Sequence, residues 1–278
     1  MKIYSYLQEL KALILFTAVL ALTCGCLKEE RNEGLTISGS TTVQPIVTRA
    51  SEVYGAEHPD ERIGVEGGGS GTGIRMVGEG SVAIGASSRE LSSDEKKTHP
   101  DLITYVVAKD GIAIVVNPSN NLSNMSLTVE QVKNIFSGEI TNFRELGGPN
   151  RPVVLVERED GSGTRSSFES MVMNGTDVSD AALQKPASGA IRFTVSGNAN
   201  AIGYVGIGYL DNTTIMPVSV NGISPTEESV RSGNYPLSRD LYLVTKGEPS
   251  GLAKDFIDYI LSDEGQRIVK EEGFVRIK

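Results

Sequence analysis

The sequence predicts an α/β fold, on two observations. Short apolar runs of strand character alternate with stretches whose apolar residues recur at helical spacing. Glycine, serine and threonine gather in the turns between them. Glycine accounts for 31 of 278 residues, against a usual level of about 7%. No break in composition and no internal repeat interrupts the alternation after residue 34. The length is that of one or two domains, enough to bury a core without disulfide or metal staples.

The elements follow in order. Leu35-Thr36-Ile37 reads as a strand. Val43, Ile46, Val47, Ala50, Val53 and Tyr54 fall on one helical face. Ile63–Val65 is a second strand, Ile74, Met76 and Val77 open another helix, and 82–86 is a third strand. Leu102–Val107 and Ile112–Val116 are two strongly β segments. A helix is expected over 127–136, with Thr128 as N-cap. Val153–Val156 is a strand, 166–173 a helix and 201–205 a strand. Leu241–Val244 is a strand, and one long amphipathic helix is expected from about Gly251 to Glu271.

Four of the loops between a strand and a helix are rich in small polar residues. They are Ser38-Gly39-Ser40-Thr41-Thr42, Gly67-Gly68-Gly69-Ser70-Gly71-Thr72-Gly73, Gly85-Ala86-Ser87-Ser88-Arg89, and the run Arg158 to Arg165 through Gly161-Ser162-Gly163-Thr164. A glycine-rich turn at a helix start exposes backbone N–H groups, which with the helix dipole favour an anion. Ser and Thr hydroxyls add neutral donors, and Arg158 adds a planar fork matched to a tetrahedral oxyanion. One such loop is usually only a cap. Four in one α/β chain can converge, because strand C-terminal ends share a crevice in open α/β folds.

Other chemistries lack their residues. The net charge of −9 opposes nucleic-acid binding, which needs a basic surface. Two cysteines and two histidines leave little for a metal centre, and no cofactor is implied. There is no P-loop, no dinucleotide fingerprint and no Gly-x-Ser-x-Gly elbow. His58 and His99 each precede proline and read as surface turn positions.

The N-terminus reads as a leader. Lys2 and Lys11 precede an uncharged run, Ala12 to Leu27, which is short of the roughly 20 residues a spanning helix needs. A basic start, a short apolar run and small residues after it suggest a secretory signal over residues 1–25. Leu22-Thr23-Cys24-Gly25-Cys26 resembles a lipoprotein cleavage box, with Cys26 the better candidate for lipidation than Cys24. An uncleaved anchor and a plain signal with incidental cysteines are the alternatives. Residues 26–34 read as a charged tether. Export to the outer face of the membrane is the expectation in each case.

At its loops the chain resembles the phosphate-binding proteins of bacterial and archaeal ABC transporters. The four loops above carry the resemblance. So do Ile135-Phe136-Ser137-Gly138-Glu139-Ile140-Thr141-Asn142, Ile202-Gly203-Tyr204-Val205-Gly206 and Tyr235-Pro236-Leu237-Ser238-Arg239-x-Leu241-Tyr242. The resemblance runs from about residue 35 to 278. It implies a two-lobed type II solute-binding fold with the ligand in a cleft between lobes. Crossing strands are then expected near 110–114 and 240–244. The lobes would be 35–112 plus 241–278, and 113–240.

The resemblance also implies contacts. Thr41, Thr42, Ser70, Ser88, Arg158, Ser162, Gly163 and Thr164 would hold phosphate, with Ser40 supporting and Asp160 pairing with Arg158, the sole charged donor. Ser88 stands where some family members carry an Asp that accepts a proton from monohydrogen phosphate. A neutral hydroxyl repels sulfate less than a carboxylate does. Arg89 is expected to pair at the surface with Glu90, Asp94 or Glu95.

The expected function is therefore that of a binding protein, not an enzyme. It would be a monomer that captures inorganic phosphate and docks on an ABC transporter permease, held to the membrane by a lipid anchor. Sulfate, molybdate or tungstate binding is the alternative within that class. An exported hydrolase is the more distant one.

Overall fold

The computed structural model describes residues 34–120, 122 and 125–278. The expected leader, the expected tether up to Glu33 and Cys26 lie outside these residues. No helix among the described residues is long and apolar enough to cross a membrane.

One lobe is built on three short strands. β1 (Leu35–Gly39) pairs in parallel with β2 (Ile63–Gly67) on one side and β3 (Ile84–Ser87) on the other. α1 (Gln44–Glu57) follows β1 and α2 (Ser70–Gly78) follows β2, as the alternation predicts. α1 buries Ile46, Val47, Ala50 and Tyr54, the stripe read from the sequence. α2 lies so close to the sheet that a Cβ on Gly73 would stand 2.4 Å from the Ser38 carbonyl. Part of the glycine excess thus serves backbone packing. α3 (Ser93–Thr98) carries a capping box between Ser92 and Glu95.

β4 (Leu102–Val116) then leaves this lobe. The sequence suggests two β segments separated by Lys109-Asp110-Gly111; the structure has one strand of 15 residues. The charged interruption does not end the strand, because both charges are met by neighbouring β10 (Ser238–Lys246). Lys109 pairs with Asp240 at 3.0 Å and Asp110 with Arg239 at 2.8 Å. β10 runs antiparallel to β3 and to the first part of β4. The second part of β4 pairs with β8 (Ala201–Gly206) and β9 (Met216–Val220). β6 (Val154–Arg158) joins β8 and β7 (Leu183–Lys185) in parallel. β5 (Ser126–Leu127) pairs with β9. The strand order β2-β1-β3-β10-β4-β8-β6-β7 therefore passes from one lobe to the other through β4 and β10.

The apolar side chains divide in the same place. Side chains between Leu35 and Ala108 and between Leu241 and Phe274 supply one main core with a smaller cluster beside it (Ile74, Val77, Val82, Leu91, Tyr242 and Val244), and Ile112 to Leu237 supply the other main core. Val275 joins the second core from the C-terminal end, where it bridges to Lys109. The second core centres on Phe136, Phe168 and Tyr204. The Phe168 and Tyr204 rings stack at 4.2 Å, and Phe136 meets Phe168 edge-on at 4.7 Å.

α4 (Val129–Phe136) is capped by Thr128 as expected, in a capping box with Gln131. The helix expected over 166–173 begins three residues earlier, as α5 (Gly163–Phe168), and continues as a π-helical turn over Glu169–Met173. α6 (Ser188–Ser196) and α7 (Glu227–Arg231) complete this lobe.

The long C-terminal helix is two: α8 (Gly251–Leu261) and α9 (Asp263–Glu271). Ser262 breaks it with an extended backbone. Its hydroxyl donates to the Tyr259 carbonyl and accepts from Gly265 N–H, while Asp263 and Glu264 sit in the new first turn.

Candidate functional site

The four loops read from the sequence meet where the lobes face each other. On the first lobe, Ser40 Oγ accepts from the N–H groups of Thr42 (3.2 Å) and Val43 (3.4 Å). This local turn fixes the entry to α1 and faces Thr41 and Thr42 inward. Gly68 and Gly69 have φ of +144° and +85°. A side chain would strain both positions, and the turn they form delivers Ser70 to the start of α2. β3 ends at Ser87, and the next residue, Ser88, donates its N–H to Ser70 Oγ at 3.0 Å.

On the second lobe, β6 ends at Arg158. Ser162 caps α5 by accepting Arg165 N–H at 3.3 Å. Gly163 and Thr164 then occupy the first turn, whose N–H groups lack intrahelical acceptors. Thr41, Thr42, Ser70, Ser88, Arg158, Ser162 and Thr164 are all buried, and Gly163 with them.

These residues touch across the cleft. Thr42 Oγ1 lies 2.9 Å from Thr164 Oγ1. Gly71 N–H donates to the Gly161 carbonyl at 3.0 Å. A Cβ on Gly163 would stand 2.2 Å from Ser70 Oγ and 2.7 Å from Ser88 Oγ, so only glycine allows this approach. The structure brings together all eight residues named as contacts, with Ser40 behind them.

Asp160 is the exception. Its side chain is 93% exposed and pairs with Arg165, Oδ1 to Nη1 3.0 Å, not with Arg158. The Arg158 guanidinium is instead buried against neutral oxygens. It donates to the carbonyls of Lys185 (3.2 Å) and Pro186 (3.1 Å) and to Ser188 Oγ (3.2 Å). The correction has a physical reason. Asp160 sits at the solvent-facing tip of the loop, whereas Arg158 is still on the strand and packed inward. Burial pulls the Arg158 guanidinium below its ordinary value. Carbonyl dipoles offset its charge without supplying a counter-anion.

Arg89 lies outside the constellation, in a two-armed pair with Glu95 at 2.7 Å on each arm, as expected of a surface pairing. Partial burial pushes the Glu95 carboxyl up. Hydrogen bonds from Arg89 and from Ser92 N–H outweigh it and hold the group below its ordinary value.

Three residues belong to this region that sequence reasoning did not assign. Ser188, at the start of α6, accepts from Arg158 and lies 3.5 Å from Thr41 Oγ1 and 3.4 Å from Thr42 Oγ1. Its signal was present, since Pro186-Ala187-Ser188-Gly189 is one more small polar turn opening a helix. Tyr209 donates its hydroxyl to the Thr41 carbonyl and packs against both cores. Burial pushes that hydroxyl up to about 12. Arg239 donates to Thr164 Oγ1 at 3.0 Å. Beside it a groove of about 860 Å³ opens to solvent, walled by residues of both lobes that include Arg89, Ser170 and Tyr242.

The set is made of hydroxyl and amide donors with one buried cation, Arg158, which makes no ion pair among the described residues and feels the Glu159 carboxylate only through space. That chemistry suits a small oxyanion, and the hydroxyls, which accept as well as donate, can also meet a proton that the anion carries. Among the described residues, no group of three His, Cys, Asp or Glu side chains is placed to hold a metal ion.

The PBP superfamily domain matches residues 28–264. The phosphate-binding protein PstS of Bacillus subtilis is 36% identical over 251 residues, spanning 90% of this chain and 83% of that one. A crystal structure described as a putative phosphate ABC transporter substrate-binding protein with bound phosphate, from Clostridium perfringens, superposes with a TM-score of 0.83. It is 38% identical and covers 88% of this chain and all of that one. An ABC-type phosphate transport receptor from Vibrio cholerae gives a TM-score of 0.72 at 33% identity, over 87% and 99% of the two chains.

Proposed function

The chain belongs to the PBP superfamily, and we propose that it captures inorganic phosphate outside the cytoplasm and passes it to an ABC transporter permease. The observation that carries this reading is the constellation of hydroxyls around buried Arg158, drawn from both lobes. The relatives described above, named for phosphate binding and phosphate transport, support it.

Thr41, Thr42, Ser70, Ser88, Arg158, Ser162, Gly163 and Thr164 are the contacts, and Ser188 joins them through Arg158. Hydroxyl and N–H dipoles replace the hydration shell of the anion, and Arg158 supplies the charge. The lobes are 35–112 with 241–278, and 113–240, hinged at β4 and β10. The anion favours closure because only the closed form presents donors from both sides. An exposed surface of net negative charge does not prevent capture. Surface charges are screened within about 8 Å at physiological salt, while the dipoles act at contact.

The protein works as a monomer at the outer face of the membrane, anchored through Cys26. Calorimetric titration with phosphate, sulfate, molybdate and tungstate across pH 5–8 tests the ligand. Phosphate should bind most tightly. Sulfate binding as tight as phosphate would show that Ser88 does not discriminate, and no binding of any of the four would overturn the reading.

A further inference from the structure

Arg239 and Asp110 face each other directly across β10 and β4, the two strands that join the lobes. Both are buried: Asp110 is fully enclosed and Arg239 is 8% exposed. Arg239 gives Nε (3.0 Å) and Nη2 (2.8 Å) to the same carboxylate oxygen, Oδ2. Oδ1 accepts Ile207 N–H at 2.9 Å. Complete burial pushes the Asp110 carboxyl up, and Arg239 with the Ile207 and Gly111 N–H groups pulls it back.

A buried pair of this kind is weak evidence for stability, since desolvation offsets much of the attraction. What distinguishes it is where the rest of the guanidinium points. Nη2 also donates to Thr164 Oγ1 at 3.0 Å, and Nη1 donates to the Ser88 carbonyl at 3.1 Å. Thr164 and Ser88 come from opposite lobes, and both are in the constellation described above.

We propose that Arg239 is a positioning residue for anion binding, acting through Thr164 and Ser88, and that Asp110 holds it in place and cancels its charge. This rests on the reading of the cleft as the oxyanion site. A hydroxyl that accepts from a cation has one lone pair occupied, so its own hydrogen turns away from that cation. For Thr164 that leaves the hydrogen on the side of the cleft, where Thr42 Oγ1 lies at 2.9 Å and either hydroxyl can donate to the other. The Ser88 carbonyl is held from two sides, by Arg239 and by Ser167 Oγ at 3.3 Å. That fixes the peptide from which the Ser88 side chain projects. Because the pair is neutral as a whole, it orders donors without adding a second net charge beside Arg158.

The test is a double-mutant cycle on the full chain, read by phosphate calorimetry into the millimolar range. Arg239→Gln should weaken phosphate binding at least tenfold in the wild-type background. In a Thr164→Val background the same change should cost at least threefold less than in the wild type, because the hydroxyl it orients is gone and only the Ser88 carbonyl is still held. Equal losses in the two backgrounds, or wild-type affinity for Arg239→Gln, would overturn the proposal. If Arg239→Gln does not fold, as judged by circular dichroism, Arg239→Lys takes its place in the same cycle. It keeps a cation for Asp110 and lacks the fork that reaches Thr164 and Ser88. Failure of the wild-type chain to bind phosphate would instead sink the reading of the cleft, so the two failures are distinguishable.

Discussion

The hydroxyls of Thr42 and Thr164 meet at 2.9 Å although 122 positions separate them in the chain. One opens the first helix of its lobe and the other lies in the first turn of α5. Their contact places two helix starts against each other: the N–H groups entering α1 are already met by Ser40, and those of Gly163 and Thr164 lie in the first turn of α5. Two positive dipole ends that face one another favour a small anion at the same place.

Arg158 is the charge in that space. Arg158→Ala should lower phosphate affinity at least about a hundredfold, some 2.7 kcal/mol by the usual conversion. The chain should still fold. It should lose about 1–3 kcal/mol of stability, because the Lys185 and Pro186 carbonyls lose their buried donor. Calorimetry and thermal unfolding on the same sample separate the two effects.

Ser188 is one of the residues that sequence reasoning did not assign. It accepts from Arg158 and lies within 3.5 Å of the hydroxyls of Thr41 and Thr42. Ser188→Ala should weaken phosphate binding by roughly tenfold, the cost of a donor left without its partner in a buried site. Unchanged affinity would confine Ser188 to holding the lobes together.

Gly163 tests the closeness of the loops. A methyl group there would stand 2.9 Å from Ser70 Cβ as well as close to two hydroxyls. The hydroxyls can rotate away, but the Ser70 Cβ cannot. Gly163→Ala should therefore hold the lobes apart. Small-angle scattering should show no phosphate-induced contraction, and affinity should fall by at least about tenfold, or 1.4 kcal/mol.

A pH effect follows from Glu95. Its folded-state value lies below the ordinary carboxylate value of 4.5. A depressed acid stabilises the fold above its unfolded value, and that stability is lost as pH falls through the folded value. The thermal stability of the wild type should fall below about pH 4.5, the ordinary value of a glutamate carboxyl. In Glu95→Gln part of that slope should disappear. An identical slope in the variant would show that Arg89 and Ser92 do not hold the carboxyl low.

The sequence made the loops legible because their chemistry is local. A Ser or Thr after a glycine turn, at a helix start, carries its meaning in four residues. That the eight residues proposed as contacts would converge was readable for that reason. Asp160 was misread because proximity in sequence says nothing about which side of a turn a carboxylate takes. Arg239 was visible within a motif, but its link to Thr164 depends on β10 crossing between the lobes, which is a tertiary fact. The strand β4 was read as two because Asp110 and Lys109 look like a break until their partners on β10 are known. The split at Ser262 was missed because one helical stripe continues across it, while the capping signal Ser-Asp-Glu lies inside that stripe.

The central claim is that one oxyanion sits among these loops with Arg158 at its side. The direct measurement is a crystal structure of the protein grown with phosphate. The account predicts phosphate oxygens within hydrogen-bond distance of the Arg158 guanidinium and of the hydroxyls of Thr41, Ser70, Ser162 and Thr164. Phosphate bound elsewhere, or a cleft whose hydroxyls still meet only one another at saturating phosphate, would contradict it.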